Sequence, residues 1–154
     1  MSTALQDISN TREVKQREIM EELAQTGECF LCQNVIERIA KKYPGVATLP
    51  IHEGNRWFVK HNDFPYEGAK LHVLIVPKKH TEKLEDLSVE DFTELMEMVA
   101  WVNKQFEVKG ASLFIRYGNM SYTGGTLAHM HFHIMHGVAK HEECEPIKVK
   151  LGYK

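Results

Sequence analysis

Residues 129–135 read His-Met-His-Phe-His-Ile-Met, an unbroken alternation of imidazole and bulky apolar side chains. Successive side chains of an extended strand point to opposite faces, so this run predicts a strand with His129, His131 and His133 on one face and Met130, Phe132 and Ile134 on the other. The apolar face belongs against a helix, and the imidazole face lines a cleft or a metal site. Like-facing residues stand roughly 6.5–7 Å apart along a strand, close enough for neighbouring imidazoles to converge on one group. Two chemistries fit. The imidazoles could ligate a catalytic metal, or one could act as a nucleophile while another donates to an oxyanion. Gly124-Gly125-Thr126 lies just ahead, and such a loop can aim backbone N–H groups at a phosphate, which favours phosphorus chemistry. His52, His61, His136 and His141 read as surface residues.

A chain of 154 residues has the length of one domain and can bury a proper core. Its net charge is −2, from 19 basic and 21 acidic residues, which excludes coating nucleic acid by bulk charge. No apolar run approaches the ~20 residues of a membrane span, and the first 25 residues mix acidic and basic side chains without the apolar stretch of a secretory signal. Three cysteines, two of them three positions apart, make no disulfide framework, so a reducing cytoplasm is expected.

The remaining pattern predicts an α+β domain, a mostly antiparallel sheet with one main packed helix and an N-terminal helical extension. Residues 4–24 read as a polar helix with Ile8, Val14, Ile19 and Leu23 as its apolar points, stopped by Gly27. A second helical stretch follows Cys32, with Val35, Ile36 and Ile39 on one side, and ends at Pro44-Gly45. Strands are expected around 57–59, at 71–76, 112–117 and 129–135, and at 146–151. The main helix runs from Ser88 to about Glu107, opened by Ser88 with Asp91 three residues on. Phe92, Leu95, Val99, Val102 and Phe106 form its face, while Met96, Met98 and Trp101 widen the apolar surface towards a homodimer contact.

Cys29-Phe30-Leu31-Cys32 has the spacing of a zinc half-site. From spacing alone, a redox dithiol and a pair of buried structural cysteines remain open. Cys144 has no partner in view.

With these residues in hand, the chain resembles the histidine triad (HIT) family, whose motif His-φ-His-φ-His-φ-φ (φ apolar) is met at all seven positions of 129–135. Leu71-His72-Val73-Leu74-Ile75-Val76-Pro77-Lys78-Lys79-His80, followed by Leu84-Glu85-Asp86-Leu87, is similar to the family's strand and His-containing turn. Asn62-Asp63-Phe64-Pro65-Tyr66 resembles the Asn-x-x-Pro-Tyr segment of its phosphorylase and uridylyltransferase branches. The resemblance divides the chain into a 1–27 extension and a 28–154 HIT domain. It implies hydrolysis or nucleotidyl transfer at the α-phosphate of a nucleoside polyphosphate or phosphoramidate, with a purine nucleotide as substrate and a homodimer as the assembly.

Carried over residue by residue, the resemblance makes His131 the nucleophile that forms a nucleotidyl-histidine. His133 would hold phosphate oxygens, Asn62 would bind ribose, Asn119, Gly125 and Thr126 would meet phosphate, and Phe30 and Leu31 would wall the base pocket. Several members with this CxxC bind structural zinc, which here implies Cys29, Cys32, His80 and His129 as ligands. Two departures stand out: Gly125 replaces the Gln of Fhit-type hydrolases, and Thr126 replaces the Ser of HINT phosphoramidases. A third histidine in place of the uridylyltransferases' Gln favours a hydrolase. A metallohydrolase and a nucleotide-binding regulatory module with little turnover remain as alternatives.

Overall fold

The computed structural model describes residues 4–154. Its centre is a five-stranded, wholly antiparallel sheet in the order β1-β2-β3-β5-β4. The strands are β1 (His52–Glu53), β2 (Trp57–His61), β3 (Leu71–Pro77), β4 (Ser112–Arg116) and β5 (His131–His136). The helices of at least one α-turn are α1 (Val14–Thr26), α2 (Gln33–Lys42), α3 (Val89–Gln105) and the short α4 (Met120–Thr123).

Strand alternation divides the core in two. Trp57 and Val59 of β2, Leu71, Val73 and Ile75 of β3, and Phe132 and Ile134 of β5 pack with Leu95, Met98 and Val102 of α3. On the opposite face, Phe58, Leu74 and Val76 pack with Ile19, Met20 and Leu23 of α1 and Val35, Ile36 and Ile39 of α2. Between neighbours in sequence, the same strands turn Lys60, His72, His131 and His133 to that second face, so α1 and α2 cover its apolar part and leave a polar corner.

α3 starts as the sequence predicts. Ser88 and Asp91 form a reciprocal capping box, which satisfies backbone donors at the helix start. Its buried stripe is Leu95, Met98 and Val102, while Phe92 is 41% exposed, so the helix is rotated from the expected face. Met98 enters the core, Trp101 stacks on His52 with ring centres 4.2 Å apart, and Met96 stays exposed.

Three expectations are corrected. The 4–24 segment is not one helix: residues 8–10 form a 3-10 turn, and α1 begins at Val14, itself exposed. Asp7 accepts from Ser9 N, and the backbone of residues 5–7 bonds to that of residues 126–128, so tertiary pairing overrides the local helical pattern. Residues 146–151 form no strand, because their backbone is used elsewhere: the Lys150 carbonyl accepts from Arg116. Finally, β5 opens at His131, and His129 lies in the bend before it.

Candidate active site and metal centre

The bend before β5 separates the histidines. His131 and His133 face an open cavity, whereas the fully buried ring of His129 turns to the cysteines. The expectation of three imidazoles in a single cleft is therefore corrected to two in the cavity and one behind it.

Behind the cavity, Cys29, Cys32, His80 and His129 bring one donor atom each to within 4.8 Å of one another. Cys29 Sγ lies 3.5 Å and Cys32 Sγ 3.9 Å from His129 Nδ1, and Cys32 Sγ lies 3.7 Å from His80 Nδ1. Donors at tetrahedral zinc distances stand about 3.3–3.8 Å apart, so the set could hold a four-coordinate ion after small adjustments. The outer ring nitrogens agree with this. His129 Nε2 donates to the Pro77 carbonyl and His80 Nε2 to Glu82, both at 2.9 Å, which leaves each Nδ1 lone pair facing the thiols. Within the pair, Cys29 is pushed up by its hydrogen bond to Cys32 and by burial, while Cys32 is pushed down by Cys29 and His129.

In the cavity, His131 Nδ1 lies 2.8 Å from the His129 carbonyl. A carbonyl only accepts, so Nδ1 carries the proton and Nε2 presents a lone pair. Burial is the main cause that pushes the His131 ring down to about 4, which keeps it neutral at pH 7. His133 is also pushed well down, by burial and then by its neighbours His131, His72 and Arg116. Its Nδ1 lies 2.9 Å from His72 Nε2, and its Nε2 lies 3.2 Å from Arg116 Nη1. Phe114 stacks flat on its ring with centres 4.5 Å apart.

Asn62, Gly125, Thr126, Phe30 and Leu31 line the same cavity. The Asn62 Oδ1 accepts from Phe64 N at 2.9 Å, fixing the turn. Gly125 presents its carbonyl to Asn10 Nδ2 at 2.9 Å, and Thr126 directs its hydroxyl to the Asn10 carbonyl. Asn119 is not brought in: it is exposed and caps α4 by accepting from Ser121 N. Among the described residues Asp63 is the one acidic side chain on the cavity wall, and Lys60 neutralises it at 2.6 Å.

The sequence reading missed the cations. Arg12, Lys60, Arg116 and Lys150 all line the cavity. Arg116 pairs with His131 across β4 and β5, and Phe114, two residues before it on the same face, pairs with His133. An unprotonated imidazole nitrogen facing a cationic cavity can act as a nucleophile or base towards an anionic electrophile.

The HIT domain model matches residues 46–140, from just after α2 to just past β5. The chain belongs to the HIT family. An uncharacterized HIT-like protein of Chlamydia muridarum is 30% identical over 90 residues, 56% of this chain and 69% of that protein. A second, from Chlamydia trachomatis serovar D, is 30% identical over 90 residues, 56% of this chain and 78% of the relative. Among solved structures, a "Hit Like Protein" superposes with a TM-score of 0.53 at 24% identity, covering 68% of this chain and 98% of its own. A HIT family hydrolase from Clostridium thermocellum superposes at 0.52 with 22% identity, covering 75% and 98%. Both share the fold of this HIT protein.

Proposed function

We propose that this HIT protein is a nucleotide hydrolase that acts at the α-phosphate of a nucleoside polyphosphate or phosphoramidate through a nucleotidyl-histidine. The observation that carries this reading is the His131 tautomer. Its Nδ1–H is committed to the His129 carbonyl at 2.8 Å, which aims an unprotonated Nε2 into the cavity. That nitrogen attacks the α-phosphorus, the N–P bond forms, and the bond to the leaving group breaks. Water then attacks the same phosphorus, restores the imidazole and releases the nucleoside monophosphate. Splitting one displacement into two steps is what a nucleophilic residue offers.

His133 holds phosphate oxygens, the Gly125–Thr126 loop faces the phosphate, Asn62 meets the ribose, and a purine base lies against Phe30 and Leu31. Asn119 has no place in this reading, because it sits outside the cavity. The catalytic-metal alternative finds little support: His129 is drawn away to the cysteines, and the acid on the wall is already paired. We assign Cys29, Cys32, His80 and His129 to a structural zinc within a 28–154 catalytic unit that follows a 1–27 extension. When bound, the ion fixes the bend that carries the His129 carbonyl. Reduced thiols in such a site suit the cytoplasm.

The test is a hydrolysis screen of diadenosine polyphosphates, adenosine phosphoramidate and nucleotide sugars with the unmodified protein and His131→Ala. The unmodified protein turns over at least one class, and His131→Ala loses that turnover with its melting curve retained. An active His131→Ala would remove the nucleophile. Tight AMP binding with no turnover of any compound would favour the regulatory module. For the metal, protein purified without added zinc carries about one ion per chain; a metal-free protein of full stability would refute the centre.

A further inference from the structure

Arg116 is 9% exposed, yet among the described residues no carboxylate lies within 4.0 Å of its guanidinium. Its partners are all neutral: His133 Nε2, the Tyr66 hydroxyl and the Lys150 carbonyl. Nearby, the Arg12 guanidinium lies over the Tyr66 ring at 4.1 Å and donates to the Phe64 and Pro65 carbonyls. A buried cation without a counter-charge is costly, so Arg116, with the exposed Arg12 on the other side of the same tyrosine, calls for an anion.

The hydrogen-bond chain makes the same demand. The backbone N–H of Tyr66 donates to His72 Nδ1 at 3.2 Å, so a neutral His72 carries its proton on Nε2. The Asn62 amide nitrogen lies 3.1 and 3.5 Å from the two ring nitrogens, distances that keep it off both lone-pair directions. His72 Nε2–H then donates to His133 Nδ1 at 2.9 Å, which places the His133 proton on Nε2. Arg116 Nη1, an obligate donor, lies 3.2 Å from that nitrogen. Two donors therefore face each other with no acceptor between them. Reversing both rings only moves the clash to Tyr66, whose backbone amide cannot turn away, whereas a guanidinium on a long side chain can.

The third observation is the chain that covers Arg116. Residues 146–153 form a C-terminal strap without helix or strand, of which Lys150 lines the cavity. Ile147 sits against Gly137, where a Cβ would come within 2.9 Å of it, and the Lys150 side chain sits against Gly124, where a Cβ would collide with it. Tyr153 donates to the buried Asn10 of the N-terminal segment. Arg116 Nε and Nη2 both point to the single oxygen of the Lys150 carbonyl, Nε at 3.1 Å, so that one neutral acceptor holds the guanidinium edge with which arginine can grip an oxyanion.

We propose that Arg116 is a phosphate-recognition residue of this site, held at rest by the Lys150 carbonyl of the C-terminal strap, whose place a substrate phosphate oxygen takes. The oxygen also accepts from His133 Nε2–H and so removes the surplus of donors. The inference rests on the phosphate site proposed above, with Arg116 and the strap as its additions.

Titration calorimetry on the full chain tests it with AMP, adenosine and pyrophosphate as probes. Arg116→Gln binds AMP and pyrophosphate about ten- to a hundredfold more weakly, the loss expected for a charged hydrogen bond, and binds adenosine unchanged. Loosening the strap with Ile147→Ser/Tyr153→Phe tightens AMP binding several-fold, and that gain vanishes when Arg116→Gln is added. Equal loss of adenosine and AMP would make Arg116 merely structural and overturn the proposal. So would unchanged AMP and pyrophosphate binding, or a strap effect that persists without Arg116. If pyrophosphate discriminates the variants while no nucleotide is bound or hydrolysed, Arg116 stands and the nucleotide reading falls. If His131→Ala abolishes turnover while Arg116→Gln binds every probe normally, the hydrolase stands and this inference falls.

Discussion

Lys60 and Asp63 form an ion pair at 2.6 Å with both side chains 1% exposed. The other Asp63 oxygen accepts from Thr48 N at 2.9 Å and Thr48 Oγ1 at 2.7 Å. The pair anchors the turn that carries Asn62 beside the cavity. Removing one partner of a buried pair strands the other charge, at a cost of about 3–5 kcal/mol. Lys60→Met is accordingly destabilised by about that amount in urea denaturation, and Lys60→Met/Asp63→Asn recovers part of the loss. At this scale the sequence was legible where residue type and spacing coincided. Alternation disclosed His131 and His133, and Cys29 with Cys32 disclosed a metal-binding geometry. Lys60 and Arg116 were not legible, because a cation at the end of a short strand ordinarily reaches solvent. Only the sheet register turns these two inward.

Among the elements, α3 was the best read, because a capping box is a local device and needs no tertiary partner. The Asp91 carboxyl is held below its ordinary value, first by the Ser88 backbone N–H. A depressed folded-state value means that its stabilisation is complete above the ordinary pKa of 3.8 and is lost as pH falls through the lower, folded-state value. Asp91→Asn therefore loses about 1 kcal/mol at pH 7, and its stability curve falls less steeply below pH 4 than that of the unmodified protein. Denaturant titrations from pH 7 to pH 2 measure both. The 4–24 and 146–151 segments were misread for the opposite reason. Their local patterns were weak, and long-range partners decided them: residues 126–128 for the first and Arg116 for the second.

For the molecule as a whole, β4 closes one edge of the sheet and pairs only with β5. Its outer backbone groups are available for pairing. A groove of mixed character, lined by Val99, Val108, Leu113 and Ile134 together with Asn103 and Lys109, runs beside it, and Leu113 is 46% exposed. The sequence placed a homodimer contact on Met96, Met98 and Trp101, but Met98 is buried and Trp101 stacks on His52, so a homodimer would use this edge instead. Light scattering at micromolar concentration then gives twice the chain mass, and Leu113→Lys gives the monomer; a monomeric unmodified protein would refute the assembly. Fold class and family were readable at this scale because the triad run is long and specific. The closure of the cavity by both ends of the chain was not, since neither end carries a motif.

The bend at His129 is held on three sides. Its Nε2 rests on the Pro77 carbonyl, its Nδ1 lies among the cysteines, and the next amide, Met130 N–H, donates to the Thr81 carbonyl at 2.7 Å. The carbonyl that orients His131 belongs to this same residue. Aim and accommodation are thereby assigned to different parts of the site. The Nε2 of His131 inherits its direction from a corner outside the sheet, whereas the glycine loop and the C-terminal strap line the site from elsewhere. A change in what occupies the cavity would then leave the bearing of that nitrogen untouched.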